Sequence, residues 1–433
     1  MNYLIQHAEI IDPRSELNHQ IGHLWIRDGV IIRIFQGADA KLPENEEISK
    51  LNAHGLKLSV GWFDMRASLR DPGLEHKETL ATGAQAAVFG GFTELALLPN
   101  TQPTIQTKSE IAYIKNFPTN LPVSFHPIAA ATVDTQGESL TEMLDLYAAG
   151  AVAFSDGEQS LWHSDIFIKA LRYLKVVDGL LINRPEDPLL TQLGTMHEGF
   201  HSTRLGLRGI PRLAEEIMIQ RDLELLRYTG GKLHFSLISS AKSVALIRQA
   251  KHEGLAVSCD IAAHQLAFDD SALDGFDTHY KVKPPFRTTE DQAALWEGLR
   301  DDTIDVLVSD HNPQDEESKN LEFDLAEFGI IGLETAFPIV HTLNAQGKYL
   351  SLGQLIEKIS YRPREILGLT SPRIAEGEIA NLTLFDTESK WTFEEDHIRS
   401  RSKNTPFLNY PMQGRAVAVF HKNQFYWHEK RSA

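Results

Sequence analysis

Eight short apolar segments, separated by stretches with helical periodicity, constrain the fold of this chain more than any other feature. In chain order they cover residues 58–65, 92–98, 123–130, 151–154, 179–183, 233–238, 256–261 and 304–308. Runs of this length are typical of strands buried on both faces. Helices are predicted between several of them, over 210–228, 241–252 and 289–299. Eight repeats of strand and helix predict an α/β protein with a (β/α)₈ TIM barrel. A doubly wound open sheet is the alternative architecture.

Both ends of the chain carry a different pattern. Near the start, Asp28-Gly29 stands between two apolar runs, which is a strong hairpin signal. The last 65 or so residues also contain short strand-like runs, at 380–385, 416–420 and 424–427. Short antiparallel strands are therefore expected at both termini, and the simplest packing joins them into one small β domain.

Composition limits the kind of site and partner. The chain has 42 Lys and Arg against 59 Asp and Glu, a formal net charge of −17, which argues against nucleic acid or anionic membrane as a partner. With Cys259 as its one cysteine, it can form neither an internal disulfide nor a thiolate zinc cluster. A transition-metal site would need His and carboxylate ligands, and 18 histidines invite that hypothesis. Since neither a secretory signal nor a membrane-length apolar run is recognisable, a cytoplasmic location is expected.

Polar residues follow the predicted strands at the end where a barrel builds its active site. They are Arg66, Arg70, Asn100, Asp156, Arg184, His264, Asp310 and His311. Arginine side chains facing a pocket suit a carboxylate or phosphate ligand. Asp156 and Asp310 have the chemistry of metal ligands or general bases. A salt-bridged barrel mouth without a ligand is the alternative interpretation.

Specific motifs lie along nearly the whole chain. They include Leu69-Arg70-Asp71-Pro72-Gly73, Pro99-Asn100-Thr101-Gln102-Pro103, Lys281-Val282-Lys283-Pro284-Pro285, Asp310-His311-Asn312-Pro313, Gly332-Leu333-Glu334-Thr335-Ala336 and Lys403-Asn404-Thr405-Pro406-Phe407. With these motifs the chain resembles a dihydroorotase of the amidohydrolase superfamily, of the type related to multifunctional complexes. The resemblance implies a barrel over residues 59–365 and a small β-sandwich domain formed by residues 1–58 and 366–433.

The resemblance also implies a metal centre, and the sequence departs from it. Active members bind one or two zinc ions through an H-x-H pair after strand 1, an acid or carboxylated lysine after strand 4, histidines after strands 5 and 6, and an aspartate after strand 8. That aspartate also serves as general base. Here the four imidazole positions are occupied by Arg66, Ser68, Arg184 and Leu237. The two acidic positions remain, as Asp156 and Asp310.

This replacement removes the chemistry of the family. Opening a cyclic amide at neutral pH needs a hydroxide-like nucleophile, which zinc supplies by lowering the pKa of bound water to about 7. Arginine and leucine cannot bind zinc. We therefore expect no metal cofactor, with Arg66 and Arg184 in the space of the metal ions, neutralising Asp156 and Asp310.

The substrate side is partly retained according to the same resemblance. An arginine and an asparagine that hold the carboxylate of dihydroorotate match Arg70 and Asn100. A histidine contact falls at Gln314 and an asparagine contact falls at Lys283, while His311 is a further candidate at the pocket. We expect dihydroorotate to bind with millimolar affinity at best.

Three functions follow as hypotheses. The first is a non-catalytic dihydroorotase-like protein, for which the resemblance implies a homodimer and a structural partnership with aspartate transcarbamoylase in pyrimidine biosynthesis. The second is an active cyclic amidohydrolase with an altered centre, using Asp310 as base and an arginine as electrophile. The third is a ligand sensor using Arg70 and Asn100. Hydantoinases and many allantoinases fit less well, because they carry a lysine at the position of Asp156.

Overall fold

The computed structural model describes residues 2–37, 41 and 48–428. The chain begins with five strands: β1 (Asn2–Ile10), β2 (Ile21–Arg27), β3 (Val30–Gln36), β4 (Ser49–Asn52) and β5 (Lys57–Val60). Asp28 and Gly29 both have positive φ, of 50° and 79°, and form the predicted two-residue hairpin between β2 and β3. Such turns match the right-handed twist of the strands that they join.

Eight parallel strands then form the barrel, with a separate pair inserted among them. They are β6 (Trp62–Ala67), β7 (Phe92–Leu97), β8 (Ser124–Ala129), β9 (Ala153–Phe154), β10 (Leu180–Asn183), the inserted β11 (Met196–His197) and β12 (Gly209–Ile210), β13 (Lys232–Phe235), β14 (Val257–Ala262) and β15 (Val306–Val308). Their spatial order follows the chain from β6 to β15. The two end strands meet through a parallel bridge between Ala67 and His311. This order confirms the barrel and excludes a doubly wound sheet, whose strand order reverses.

Helices cover the barrel between its strands. The described residues contain α1 (Leu80–Gly90), α2 (Lys108–Lys115), α3 (Met143–Ala149), α4 (Ser164–Leu174), α5 (Pro188–Thr191), α6 (Phe200–Leu205), α7 (Leu213–Thr229), α8 (Ala241–His252), α9 (Thr289–Arg300), α10 (Glu316–Lys319), α11 (Ala336–Gly347), α12 (Leu352–Ile356) and α13 (Arg362–Ile366). The prediction for α8 is confirmed. The helix predicted from residue 210 begins later, because Ile210 is extended in β12, as the residue before a proline prefers to be.

The end of the chain returns to the first sheet. It adds β16 (Asn381–Phe393), β17 (Tyr410–His421) and β18 (Gln424–Trp427). The order of this sheet is β18-β17-β16-β5-β1-β2-β3, with β4 pairing beside β1. Strand β5 lies antiparallel to β16 and parallel to β1. The predicted fold class is confirmed, since both termini build one β structure beside the barrel. The domain limits at 58 and 366 stay a prediction.

Gly61 separates two strands that the sequence shows as one apolar run, 58–65. Strand β5 belongs to the terminal sheet and β6 to the barrel, so one segment feeds two sheets. A Cβ at Gly61 would overlap the side chains of Asn381 and Thr93. The switch between the sheets is thus a close backbone approach that needs a glycine.

Apolar side chains fill the barrel interior. They include Phe63, Met65, Ile128, Leu180, Ile182, Leu237, Val306 and Val308. A larger core lies between the strands, the surrounding helices and the terminal sheet. Because the interior is packed, chemistry is confined to the mouth at the carboxyl ends of the strands. In the part of the chain that is described, none of the helices has the length and apolar character to cross a membrane.

Candidate functional site

An ion pair joins the ends of the first and last barrel strands. Nε of Arg66 donates to Oδ1 of Asp310 at 3.0 Å, and Nη1 of Arg66 donates to Oγ of Ser236 at 3.2 Å. Arg66 is only 3% exposed. Burial raises the pKa of Asp310 to about 6, although Arg66 acts to lower it. The expected neutralisation of Asp310 by an arginine is confirmed for Arg66.

The other retained acid has neutral partners. The backbone N–H of Thr132 donates to Oδ1 of Asp156 at 2.9 Å, and its hydroxyl donates to Oδ2 at 2.5 Å. Burial raises the pKa of Asp156 to about 6. The expectation that the two arginines together neutralise both acids is wrong for Asp156, because Arg66 is paired with Asp310 and Arg184 with Glu186, the acid two residues further along.

Glu186 forms ion pairs with two cationic side chains at the barrel mouth. Its Oε2 lies 3.1 Å from Nη2 of Arg184, and its Oε1 lies 2.5 Å from Nζ of Lys283. Burial acts to raise the pKa of Glu186, but Arg184 and Lys283 outweigh it and lower that pKa. Lys283, a predicted substrate contact, is therefore held by an internal carboxylate.

A second internal carboxylate holds Arg70. Nη2 of Arg70 donates to Oε1 of Glu158 at 2.7 Å and also to Oδ1 of Asn312. The hydroxyl of Ser68 donates to the same Glu158 oxygen at 3.4 Å. Burial opposes ionisation of Glu158, yet its pKa is lowered, mainly by Arg70 and also by Arg66 and Arg184. Glu158 is therefore an anion facing three guanidiniums.

Asn100 positions the turn that carries Glu158. Its Nδ2 donates to the carbonyl oxygen of Asp156 at 3.1 Å, and its Oδ1 accepts from the backbone N–H of Glu158 at 2.9 Å. Gly157 lies between them with φ of 64°, and a Cβ there would overlap Oδ1 of Asn100. Both side-chain groups of Asn100 thus bind the backbone of this turn, which only glycine allows.

Gln314 and His311, two predicted substrate contacts, form hydrogen bonds within the fold. Oε1 of Gln314 accepts from Nζ of Lys77 at 2.6 Å, and its Nε2 donates to the carbonyl of Phe328 at 2.8 Å. His311 has a fully buried side chain. Its Nδ1 accepts from the N–H of Gly332 at 3.2 Å, and its Nε2 lies 3.2 Å from Oε2 of Glu78. Both ring nitrogens of His311 are thereby engaged within the fold.

At the end of β13, the sixth strand of the barrel, Leu237 and His234 are buried as well. Leu237 has φ of 59°, and its N–H donates to Oδ1 of Asp260 at 2.6 Å. Nε2 of His234 lies 2.8 Å from the other oxygen of Asp260, inside the barrel. His264 packs edge-on against Phe286, and burial lowers its pKa to about 3. Its ring is therefore neutral, and among the described residues neither ring nitrogen has a hydrogen-bond partner.

Comparisons with known proteins place this architecture in a family. A dihydro-orotase-like family model matches residues 56–243, and an amidohydrolase family model matches residues 191–417. The chain is 39% identical to a dihydroorotase of Geobacter sp. (strain M21) over 425 residues, which cover 98% of this chain and 99% of that protein. This chain belongs to the dihydroorotase-like family of amidohydrolases. A dihydroorotase of Pelobacter propionicus is 40% identical over 421 residues, covering 97% and 98% of the two chains.

Solved structures agree with this dihydroorotase-like fold. The L-hydantoinase of Arthrobacter aurescens superposes with a TM-score of 0.86 at 22% identity, over 98% of this chain and 95% of that one. A D-hydantoinase from Thermus sp. gives 0.82 at 19% identity, over 98% and 94%. At such identities the likeness shows the shared fold alone.

Zinc, which the family resemblance implies, does not fit the residues of this dihydroorotase-like mouth. Oδ1 of Asp310 accepts from Arg66, both carboxylate oxygens of Asp156 accept from Thr132, and the side chain of Leu237 has no atom that can bind a metal ion. Over residues 2–37, 41 and 48–428, no three His, Cys, Asp or Glu side chains are placed to hold a metal ion. Guanidinium and hydroxyl groups satisfy the two acids instead.

Glu158 and Glu186 also belong to the barrel mouth, although neither acid was predicted from the sequence. Three arginines at the strand ends, Arg66, Arg70 and Arg184, face only two predicted acids. Since buried charges need partners, that imbalance indicates at least one further carboxylate at the mouth. Each missing acid lies two residues after a position already singled out, Asp156 or Arg184.

Proposed function

We propose that this dihydroorotase-like protein is non-catalytic and serves pyrimidine biosynthesis through a role other than amide hydrolysis. The observation that carries the proposal is the pair between Nε of Arg66 and Oδ1 of Asp310. A guanidinium does not release its proton in a protein. It therefore blocks the carboxylate at the general-base position and provides no metal ligand in return.

The reaction of the family needs an activated water. Zinc lowers the pKa of bound water from 15.7 to about 7, which makes hydroxide available at neutral pH. Neither Arg66 nor Arg184 can take part in such a centre, and Asp156 has donors on both of its oxygens. The residues at this mouth stabilise one another and leave the hydrolytic step without a nucleophile.

Turnover and metal content test the proposal together. Purified protein is assayed for hydrolysis of dihydroorotate and for cyclisation of N-carbamoyl-aspartate, with and without added zinc, beside the Geobacter dihydroorotase as a reference. We expect no turnover above background and far less than one zinc per chain. Turnover that depends on this protein, or about one bound zinc ion per chain or more, would contradict it.

One observation favours the alternative of an active hydrolase. Burial raises the pKa of Asp310 to about 6, and general bases work best when their pKa lies near the operating pH. If the protein does turn over dihydroorotate, Asp310→Asn should abolish the activity. Activity that survives in D310N would exclude Asp310 as the base.

We also propose a structural partnership with aspartate transcarbamoylase, a homodimeric state and a cytoplasmic location. The support is the family resemblance and the relatives named dihydroorotase. Co-expression with the aspartate transcarbamoylase of the same organism, followed by size-exclusion chromatography, tests the first two. We expect one co-eluting assembly. Separate elution of the two proteins would contradict the partnership.

A further inference from the structure

Arg70 and Asn100 are both committed to one short turn of this chain. Arg70 binds the carboxylate of Glu158 through Nη2, and Asn100 binds the backbone on either side of Gly157. Within the same turn, the hydroxyl of Ser155 accepts a hydrogen bond from the N–H of Gly157 at 2.9 Å. The turn is therefore fixed from two sides, with the Glu158 carboxylate directed at Arg70.

The arginines keep unused binding capacity. Nε of Arg70 and Nε of Arg184 are buried, and among the described residues neither has a hydrogen-bond partner. Each guanidinium instead uses Nη2 for a glutamate, Glu158 or Glu186. An arginine can bind a carboxylate through two parallel N–H groups. In Arg70 and Arg184 only Nη2 binds a carboxylate, and the adjacent Nε–H stays without an acceptor in the described part of the chain.

Exposure shows from which side this pocket opens. The side chain of Arg70 is 6% exposed, whereas that of Glu158 is 27% exposed. Glu158 is therefore the partner in this pair that solvent reaches more readily, so its carboxylate can leave Arg70 for water without first exposing the guanidinium. A carboxylate from solvent competes with the Glu158 carboxylate for the same Arg70 guanidinium.

We propose that Glu158 is an internal ligand that fills a carboxylate-binding pocket formed by Arg70 and Ser68, and that a small carboxylate compound binds there by displacing it. The inference rests on the proposed function, because it assumes that the mouth binds ligands without metal or turnover. Exchange of one carboxylate for another leaves the charge of the mouth unchanged. The gain from the new ion pair is offset by the loss of the old one, so affinity of the natural protein for carboxylates stays low.

Calorimetric titration with dihydroorotate tests this directly in the full-length protein. Glu158→Gln keeps the size of the side chain and removes the competing charge. We expect E158Q to bind dihydroorotate at least about tenfold more tightly than the natural protein, since charge-assisted pairs are roughly twice as strong as neutral ones. Adding Arg70→Ala to E158Q should abolish the gain.

A matched control separates local from long-range effects. Glu253→Gln removes the same charge from an exposed pair with Arg227, on the outer surface of the barrel, and should leave the affinity unchanged. An affinity of E158Q within twofold of the natural protein, or an equal gain in E253Q, would overturn the proposal. If E158Q fails to fold, Glu158→Asp, which withdraws the carboxylate by one methylene, should give a smaller gain of the same sign. No gain in folded E158D would then count against it.

The binding result is independent of the turnover assay. Measurable hydrolysis by the natural protein would contradict the proposed function and leave the comparison of E158Q with E253Q interpretable. Conversely, absent turnover with no gain in E158Q would leave the proposed function standing and remove Glu158 as an internal ligand.

Discussion

Arg66 reaches across the seam of the barrel to Asp310, with 3.0 Å between Nε and Oδ1. Arg66 lies at the end of β6 and Asp310 follows β15, the two strands between which the barrel closes. Beside the pair, the N–H of Ser68 donates to the carbonyl of His311 at 2.8 Å. In this chain an ion pair ties together the strand ends where the family resemblance implies a metal centre.

Arg66→Ala should therefore destabilise the fold. It leaves Asp310 as a buried carboxylate without its cation, and loss of one partner of a buried pair costs about 3 kcal/mol or more. Urea unfolding measures the change. Arg227→Ala, which removes an exposed pair with Glu253, serves as control and should cost under about 1 kcal/mol. Equal losses in R66A and R227A would contradict a clamping role for Arg66.

Gly157→Ala should distort the turn that carries Glu158. Alanine at φ of 64° is strained, and its methyl group would overlap Oδ1 of Asn100. We expect a loss of at least about 2 kcal/mol in the free energy of unfolding. Gly55→Ala is a matched control, since Gly55 has φ of 80° with nothing near its missing Cβ, and should cost only the backbone strain of about 1 kcal/mol. A similar loss in both variants would show that the contact with Asn100 is unimportant.

Asp222 should make stability depend on pH. It is fully buried on α7, where it accepts from Nδ2 of Asn183 at 2.7 Å and from Arg221, and burial raises its pKa to about 6. Since the folded pKa lies above the unfolded one, the contribution of the protonated form is complete below about pH 4. It is lost as the pH rises through about 6.

Asp222→Asn isolates that contribution, because both proteins share every other titrating group. The stability of the natural protein relative to D222N should fall by up to about 3 kcal/mol between about pH 4 and 7, at about 1.4 kcal/mol for each pH unit of pKa difference. Urea titrations at intervals across this range measure it. A difference that stays constant, or rises with pH, would contradict the prediction.

Restoring the four histidines should restore metal binding. In the variant Arg66→His, Ser68→His, Arg184→His and Leu237→His, imidazoles return beside Asp156 and Asp310. Leu237 has φ of 59°, a conformation that histidine adopts more readily than leucine. We expect the variant to retain about one zinc ion per chain after dialysis, measured by elemental analysis. The triple variant that keeps Leu237 should bind less, and a folded quadruple variant without zinc would refute this expectation.

The barrel could be predicted from the sequence because parallel strands buried on both faces are continuous apolar runs. That same property hid the break at Gly61, since apolarity alone does not say which sheet a residue joins. The difference between β5 and β6 depends on the close packing of Gly61 against Asn381 and Thr93, which are distant in sequence. The residues next to Gly61 in sequence do not indicate this close packing against distant side chains.

The candidate site was predictable as a set of positions but not as a set of pairs. Arg66 lies at the end of β6 and Asp310 follows β15; the ends of these strands meet, so topology alone brings the two residues together. The partner of Arg184 depends instead on how the loop after β10 turns, which places Glu186 nearer than Asp156. Glu158 likewise reaches Arg70 through the left-handed backbone of Gly157.

Strand β5 pairs with one strand that is synthesised before it and one that is synthesised much later. Leu58 pairs with Leu384, so the second neighbour of β5 is synthesised only after the whole barrel sequence. Until then the β16-facing side of β5 is an open strand edge, which invites pairing with other chains. A nascent or shortened chain that lacks β16 thus exposes an adhesive strand edge, which β16 covers in the folded protein.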